Sequence, residues 1–351
     1  MQAESHVPVF LPWQQELARK WLSGQQDRFA HAWLIHGLAG IGKRQFALAA
    51  AASLLCETSE NSLACGHCSA CRWIASGNHP DVRRIRPDAI ALEEGEGGED
   101  DAQKAAAKKT PSKEIRVDQL RALSDWFNTA THRVGWRVAV IYPAQAMNAI
   151  SANALLKVLE EPPEHTVFLL VADAPDRLLP TLVSRCRRLP LPTPSEQASL
   201  DWLGEQGVAR ASQWLSAAGG APVLALKQAG TQDAPYPAWL DTLLEQAVSE
   251  QGIHVATMSD QLEAQDPSIW IDTLQRVMTD ISLAASGVKV RYYPALQAKI
   301  EALAARSSPQ ALAQAGKWLT SQRAIASHPL NAKLFAQTFT QRMAVVLGQK
   351  A

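Results

Sequence analysis

Residues 31–47, HAWLIHGLAGIGKRQFA, constrain this chain more than any other stretch. The apolar run Ala32-Trp33-Leu34-Ile35 reads as a short buried strand, and Gln45-Phe46-Ala47-Leu48-Ala49-Ala50 reads as a helix. Between them lies Gly37-Leu-Ala-Gly-Ile-Gly42-Lys43. Strand, glycine loop, lysine and helix make up a phosphate cradle. The glycines let the backbone wrap a phosphate, and the helix N-terminus adds a favourable dipole. Gly37, Gly42, Lys43 and Arg44 are therefore the candidate nucleotide-binding residues. A working cradle carries Ser or Thr after the lysine, and its hydroxyl holds magnesium. Here that residue is Arg44. On its own this leaves open whether the loop still turns over nucleotide or only keeps the strand–helix turn; with the further losses below, ATP binding is expected to be weak or absent.

With 351 residues the chain is too long for one compact core, so two or three domains are expected. Lys+Arg and Asp+Glu number 34 each, so no overall basic field argues for nucleic-acid binding by charge alone. No apolar stretch reaches the length of a membrane span, and the opening MQAESHVPVFLPWQQ does not read as a signal peptide. A cytoplasmic protein with no membrane partner is expected, its cysteines reduced unless they bind metal.

Residues 13–29 have helical periodicity, with Leu17, Trp21 and Leu22 on one side. Behind the cradle helix come Cys56, Cys65, Cys68 and Cys71, spaced C-x8-C-x2-C-x2-C. Four thiolates so close in a reduced chain suit a closed, tetrahedral, structural zinc site. His67 and His79 are possible substitute ligands, though solvated loop histidines are the favoured reading. After a strand-like Val82-Arg83-Arg84-Ile85, residues 93–113 hold six acids and then four lysines, with almost nothing apolar large enough to pack. That composition predicts a solvated insertion, not a core element.

Residues 117–127 read as an amphipathic helix and Arg137-Val138-Ala139-Val140-Ile141 as a buried strand. In a nucleotide hydrolase this strand ends in acids that hold magnesium and activate water. Here it exits as Tyr142-Pro143-Ala144-Gln145, with no carboxylate. The loss at position 44 and the loss here point the same way, against hydrolysis. A helix over 151–163 stops at Pro162-Pro163, and Val167-Phe168-Leu169-Leu170-Val171 is apolar throughout, as a central parallel strand should be. Alternating strands and helices predict an α/β layer sandwich. A helix with Leu178, Leu182 and Val183 leads into Ser184-Arg185-Cys186, then a short strand and a proline-spaced linker at 190–194. A lone arginine there reads as a solvated cation or as one reaching into a neighbour's nucleotide site. Residues 235–351 have helical apolar spacing, including Trp239-Leu240-Leu243-Leu244, Ile271-Leu274-Val277-Met278 and Leu312-Ala315-Trp318-Leu319.

Several of these features occur together: His31-Ala32 before the loop, the four-cysteine insert, Asn153-Ala154-Leu155-Leu156-Lys157 through Glu160-Glu161-Pro162-Pro163, and Ser184-Arg185-Cys186. On them, the chain resembles bacterial clamp-loader AAA+ subunits over most of residues 10–230. The resemblance implies an α/β P-loop AAA+ domain at 1–192 containing the zinc module at 56–71. It further implies a small helical lid at 193–233 and an all-α collar for oligomerisation at 234–351. His328-Pro329-Leu330-Asn331 is the main trace of the family in the last third. Motor members, the gamma/tau type, keep the loop hydroxyl, the strand-tip acids and a lid arginine. This chain has Arg44, Tyr142-Pro143-Ala144 and, in the lid, Gly219-Gly220-Ala221-Pro222-Val223-Leu224. What the resemblance then implies is a non-hydrolysing, stator-like subunit of a hetero-pentamer with gamma/tau and delta subunits. Such a subunit helps load the beta sliding clamp onto primed DNA, with Arg185 as an arginine finger in trans. The competing readings are an active gamma/tau-type ATPase and a P-loop kinase with a zinc-bound lid. Both need the magnesium-holding hydroxyl at position 44.

Overall fold

The computed structural model describes residues 6–24, 29–95, 111–127, 135–249, 252–326 and 332–348. The interior of the expected insertion, 96–110, and the stretch 328–331 lie outside the described residues. The chain forms two compact units, residues 1–198 and 199–351.

The first unit is an α/β layer structure, as its alternating pattern predicts. Strands β1 (Ala32–His36), β2 (Val82–Ile85), β3 (Arg137–Ile141), β4 (Thr166–Ala172) and β5 (Arg187–Pro190) form one sheet in the order β2-β3-β4-β1-β5. All four pairings are parallel; Ala32 stands opposite Phe168, and Val138 opposite Val167. Every residue of β3 and β4 is buried. Strands covered on both faces read as continuous apolar runs for this reason.

Helix α1 (Gln15–Ser23) precedes β1, and α2 (Lys43–Leu55), α3 (Ser69–Ala75), α4 (Asp88–Glu93), α5 (Val117–Phe127), α6 (Ala149–Glu160) and α7 (Pro180–Ser184) lie in the connections between strands. Successive side chains of a strand point to opposite faces, so neighbouring residues of β1 serve different layers. Leu34 joins Leu120 and Leu123 of α5, Leu155 and Leu159 of α6 and Leu182 of α7 in one core cluster. Trp33 meets Trp21 of α1 edge-on at 5.2 Å, and Trp21 in turn meets Phe46 of α2. The buried face of α1 is Ala18, Trp21 and Leu22, while Leu17 is only half-buried. The spacing 18, 21, 22 is a true i, i+3, i+4 stripe; 17 lies on its edge. In α2, Ala47, Ala49, Ala50, Ala51 and Ala52 are all buried, and side chains this small let the helix lie close on the sheet. Helix α6 begins at Ala149, two residues before the expected start, because the Asn148 side chain caps it by accepting from the Ser151 N–H.

The second unit is all-helical: α8 (Glu196–Glu205, which begins just before the boundary), α9 (Ala211–Ala217), α10 (Pro222–Ala229), α11 (Ala238–Val248), α12 (Val255–Glu263), α13 (Pro267–Ala285), α14 (Gln297–Ala304), α15 (Pro309–Ile325) and α16 (Ala332–Gly348). Its core takes the apolar stripes predicted from spacing: Leu240, Leu243, Ile271, Leu274, Leu312 and Leu319 are buried together, and Trp318 packs against them half-buried. Trp270 and Phe339 meet edge-to-face at 4.4 Å.

One polar device in this core was not foreseen. Asp280 of α13 is fully buried, and its two oxygens accept the backbone N–H groups of Arg291, Tyr292 and Tyr293 at 2.8–3.1 Å. A carboxylate has only acceptors to offer, which suits three converging donors; an amide would aim N–H at N–H. Asp280→Asn is therefore expected to destabilise the second unit by about 2–3 kcal/mol, the scale of lost hydrogen bonds to a charged group. Denaturant unfolding checks this, and a midpoint unchanged from the parent would refute it.

Candidate functional site

Because every strand is parallel, the exits of β1, β3 and β4 lie along one edge of the sheet, where open α/β sheets bind ligands. That edge brings together the glycine loop after β1, Tyr142 after β3 and Asp173 after β4. Gly37 has φ +150°, and a Cβ there would stand 2.7 Å from the Leu191 carbonyl oxygen, so only glycine fits beneath the loop. Gly42, at φ +89°, is the N-cap of α2. The loop is held from outside by Gln14, which is buried and donates to the carbonyls of Ile41 and Gly42 at 3.2 and 3.0 Å. Trp13 Nε1 also donates to Ile41 O. Neither contact was expected from the sequence.

Lys43 turns back into its own loop. Its ammonium donates to the carbonyls of Gly37 (2.9 Å) and Leu38 (2.5 Å) and pairs with Asp173 at 2.5 Å, with only 3% of its side chain exposed. Asp173 is the first charged residue after the apolar run of β4, a signal legible in the sequence but overlooked there.

Arg44 is likewise engaged. Its Nη1 donates to Glu94 Oε1 at 2.8 Å. Glu94 Oε2 accepts from Tyr142 Oη at 2.8 Å and pairs with Arg86 Nε at 2.9 Å. Burial, against the opposing pull of nearby Arg86, pushes the Tyr142 phenol up, which keeps it a proton donor to this carboxylate. The expectation that 93–113 is wholly a solvated insertion is thus corrected at its edges. Glu93 ends α4, Glu94 is only 14% exposed, and the Ser112 carbonyl accepts the Ala89 N–H. The physical reason is charge: acids that cannot pack in an apolar core can still pair with basic residues beside it.

The four cysteines cluster as predicted. Their sulfurs all lie within 4.8 Å of one another, with Cys56–Cys68 at 3.9 Å and Cys65–Cys71 at 4.0 Å. Sulfurs around a tetrahedral zinc ion stand about 3.8 Å apart, given Zn–S of about 2.3 Å, so the donor set fits such an ion. Cys68 caps α3 by accepting the Cys71 N–H. The Thr58 hydroxyl and neighbouring backbone amides hold the Cys65 thiol down at about 5, whereas burial pushes Cys71 up. The two histidines stand outside the cluster. His67 is exposed with Nδ1 on the Cys65 carbonyl, but His79 is buried, correcting its reading as solvated. Its Nδ1 accepts the Asp81 N–H, and its ring lies 5.8 Å from that of Trp73.

Arg185 stands at the end of α7, far along the chain from the cradle. Its Nη2 pairs with Glu160 Oε1 at 2.6 Å and Nη1 donates to the Thr181 carbonyl at 2.9 Å, leaving about a third of the side chain exposed (36%). Glu160, at the last turn of α6, is thus its ionic partner. The neighbouring Cys186 thiol is pushed by burial up to about 11, so it stays neutral.

The family model described as DNA polymerase III, delta subunit, matches residues 13–195. The chain is 40% identical over 224 residues to DNA polymerase III subunit delta-prime of Pseudomonas aeruginosa, an overlap of 62% of this chain and 61% of that one. With the delta-prime subunit of Escherichia coli it shares 34% over 184 residues, 52% of this chain and 49% of the other. The tau subunit of Bacillus subtilis is 30% identical over 228 residues, covering 65% of this chain but 35% of tau. A gamma-subunit-related protein of Thermotoga maritima superposes with TM-score 0.44 at 17% identity, over 96% of this chain and 100% of that one. The chain thus spans 61% and 49% of the length of these two delta-prime sequences. A match across the cradle, the cysteine cluster and the Ser-Arg-Cys turn alike, over more than half its residues, means that this chain belongs to the DNA polymerase III delta-prime family.

Proposed function

We propose that this chain is the stator-like, non-hydrolysing subunit of a DNA polymerase III clamp loader, working in the cytoplasm. It assembles with gamma/tau and delta subunits into a hetero-pentamer that places the beta sliding clamp on primed DNA. Its own cradle does not turn over ATP. The observation that carries this reading is the pair of positions that should hold magnesium. Position 44 is an arginine already paired with Glu94, and the exit of β3 is a tyrosine bonded to the same carboxylate. Neither group can ligate a cation or activate water. Gly37, Gly42, Lys43 and Arg44 are a vestigial cradle that keeps the strand–helix turn. Arg185, exposed and paired with Glu160, reaches into the ATP site of an adjoining gamma/tau subunit and stabilises charge on the transferring phosphate.

Cys56, Cys65, Cys68 and Cys71 hold a structural zinc that ties the segment after α2 to α3; with four protein ligands the ion has no open position for chemistry. Residues 193–233 serve as the lid, which lacks a nucleotide-sensing arginine, and 234–351 as the collar that holds the ring together.

Steady-state ATPase assays test the reading. The purified chain with magnesium-ATP is expected to show no turnover. Added to gamma/tau, delta, clamp and primed DNA, it is expected to raise turnover well above the same mixture without it. Robust magnesium-dependent turnover by the chain alone would restore the motor reading.

A further inference from the structure

The residue with the least warrant in the sequence makes the most telling contacts at the cradle. Glu94 comes from the acid-rich segment, one residue beyond α4, yet it reaches both positions from which the magnesium-holding groups are missing. Through Oε1 it accepts from Arg44, and through Oε2 it accepts from Tyr142 and pairs with Arg86. In a hydrolysing cradle those two positions are joined through magnesium and the terminal phosphates. Here one internal carboxylate joins them. Arg44 and Arg86 share the Glu94 carboxylate, and Arg84 also acts on Tyr142, so removal of Glu94 takes away the carboxylate that Arg44 and Arg86 share. They sit beside the glycine loop and the N-terminus of the 13-residue α2, whose free N–H groups favour an anion.

We propose that Glu94 is the built-in anion of this cradle: its carboxylate takes the place of the metal–phosphate pair, and withdrawing it converts the loop into a magnesium-independent site for a polyphosphate. Arg44 then changes meaning. It is not simply a lost hydroxyl but the cation that recruits Glu94, and the cradle is shut by a contact rather than only stripped of its ligands. The chemistry recognised is that of linked phosphates, which either inorganic pyrophosphate or a nucleoside triphosphate offers. Lys43 is itself turned onto Asp173 and the loop carbonyls; the Glu94 carboxylate is the competitor on the Arg44 and Tyr142 side of the loop.

The test uses the full chain alone, so its outcome is independent of ring assembly and of the proposed place in a clamp loader. Binding of ATP and of inorganic pyrophosphate is measured by calorimetry in the presence of a magnesium chelator, for the parent chain, Glu94→Ala, Glu94→Gln and Glu94→Ala/Arg44→Ala. Glu94→Ala is expected to bind both ligands about ten- to a hundredfold more tightly than the parent, the scale of one charge-assisted hydrogen bond lost to the competitor. Pyrophosphate binding equal to that of ATP means recognition by the phosphates alone; tighter ATP binding means the base adds contacts. Both outcomes support the proposal. The isosteric Glu94→Gln, which keeps the hydrogen-bonding shape, is expected to gain less, and it stands in should the alanine variant fold poorly. The double variant is expected to lose the gain. Binding no tighter than the parent in both single variants, or a gain that survives removal of Arg44, would overturn the proposal.

Discussion

Replacing Arg185 by Ala in the reconstituted clamp loader is expected to abolish most DNA-stimulated turnover at the neighbouring ATP site while leaving assembly intact. An arginine finger is worth on the order of 10³-fold or more in kcat at the site it serves. The stability cost is small by comparison. The pair Arg185–Glu160 is exposed on both partners, 36% and 52%, and such pairs contribute at most about 1 kcal/mol. A fall of that size in turnover therefore cannot be assigned to unfolding, and size-exclusion chromatography of the mixed subunits checks that the ring still forms. Arg185→Lys makes the sharper control. A lysine keeps the positive charge but not the planar fork that meets two oxygens at once, so it should restore little of the loss. Single-turnover hydrolysis in the full mixture is the measurement; an alanine variant as active as the parent would remove the finger assignment.

Loss of the proposed zinc is the second large expected effect. Cys68→Ser separates the two things that Cys68 does. Serine is a good N-cap, so the acceptor for the Cys71 N–H at the start of α3 survives. The thiolate does not. Structural zinc sites bind with apparent free energies of about 10–16 kcal/mol in small modules, and that binding is itself folding energy. The variant is expected to retain far less zinc than the parent after dialysis and to become protease-sensitive between Cys56 and Ala75. The sheet should persist, because its core cluster contains none of the four metal-site cysteines. Acid acts in the same direction. Bound thiolates must take up protons before they leave a metal, so a zinc contribution is expected near neutral pH and is expected to be lost as pH falls. Metal content by atomic absorption decides the matter, and an unchanged zinc content in the serine variant would rule out the four-cysteine site.

The sequence carried the elements well wherever one interaction dominated over a short span. The apolar runs of β1, β3 and β4 appear where expected, because strands buried on both faces have no polar positions to confuse the pattern. The cysteines converge because two-residue gaps leave the backbone few ways to aim the thiols apart. Leu17 and Ala18 show the limit of periodicity. The stripe in α1 is displaced by one residue because the partner surface, Trp33 and Phe46, decides which side of the helix is covered.

What the sequence determined by itself was chemistry that is absent or present at single positions: no hydroxyl at 44, no acid after Ile141, four thiols in sixteen residues, an arginine after Ser184. These are local facts, and no fold can supply a missing carboxylate. What only the tertiary structure decided was which distant charges meet. Glu94 is fifty positions from Arg44 and 48 from Tyr142; Arg185 is 25 from Glu160. Charged side chains at such separations leave no periodic trace, and an acid inside a run of acids carries no mark of its partner. Their pairing follows from the tertiary fold, which brings the segment after α4 to the exits of β1 and β3 and sets the end of α7 against the end of α6.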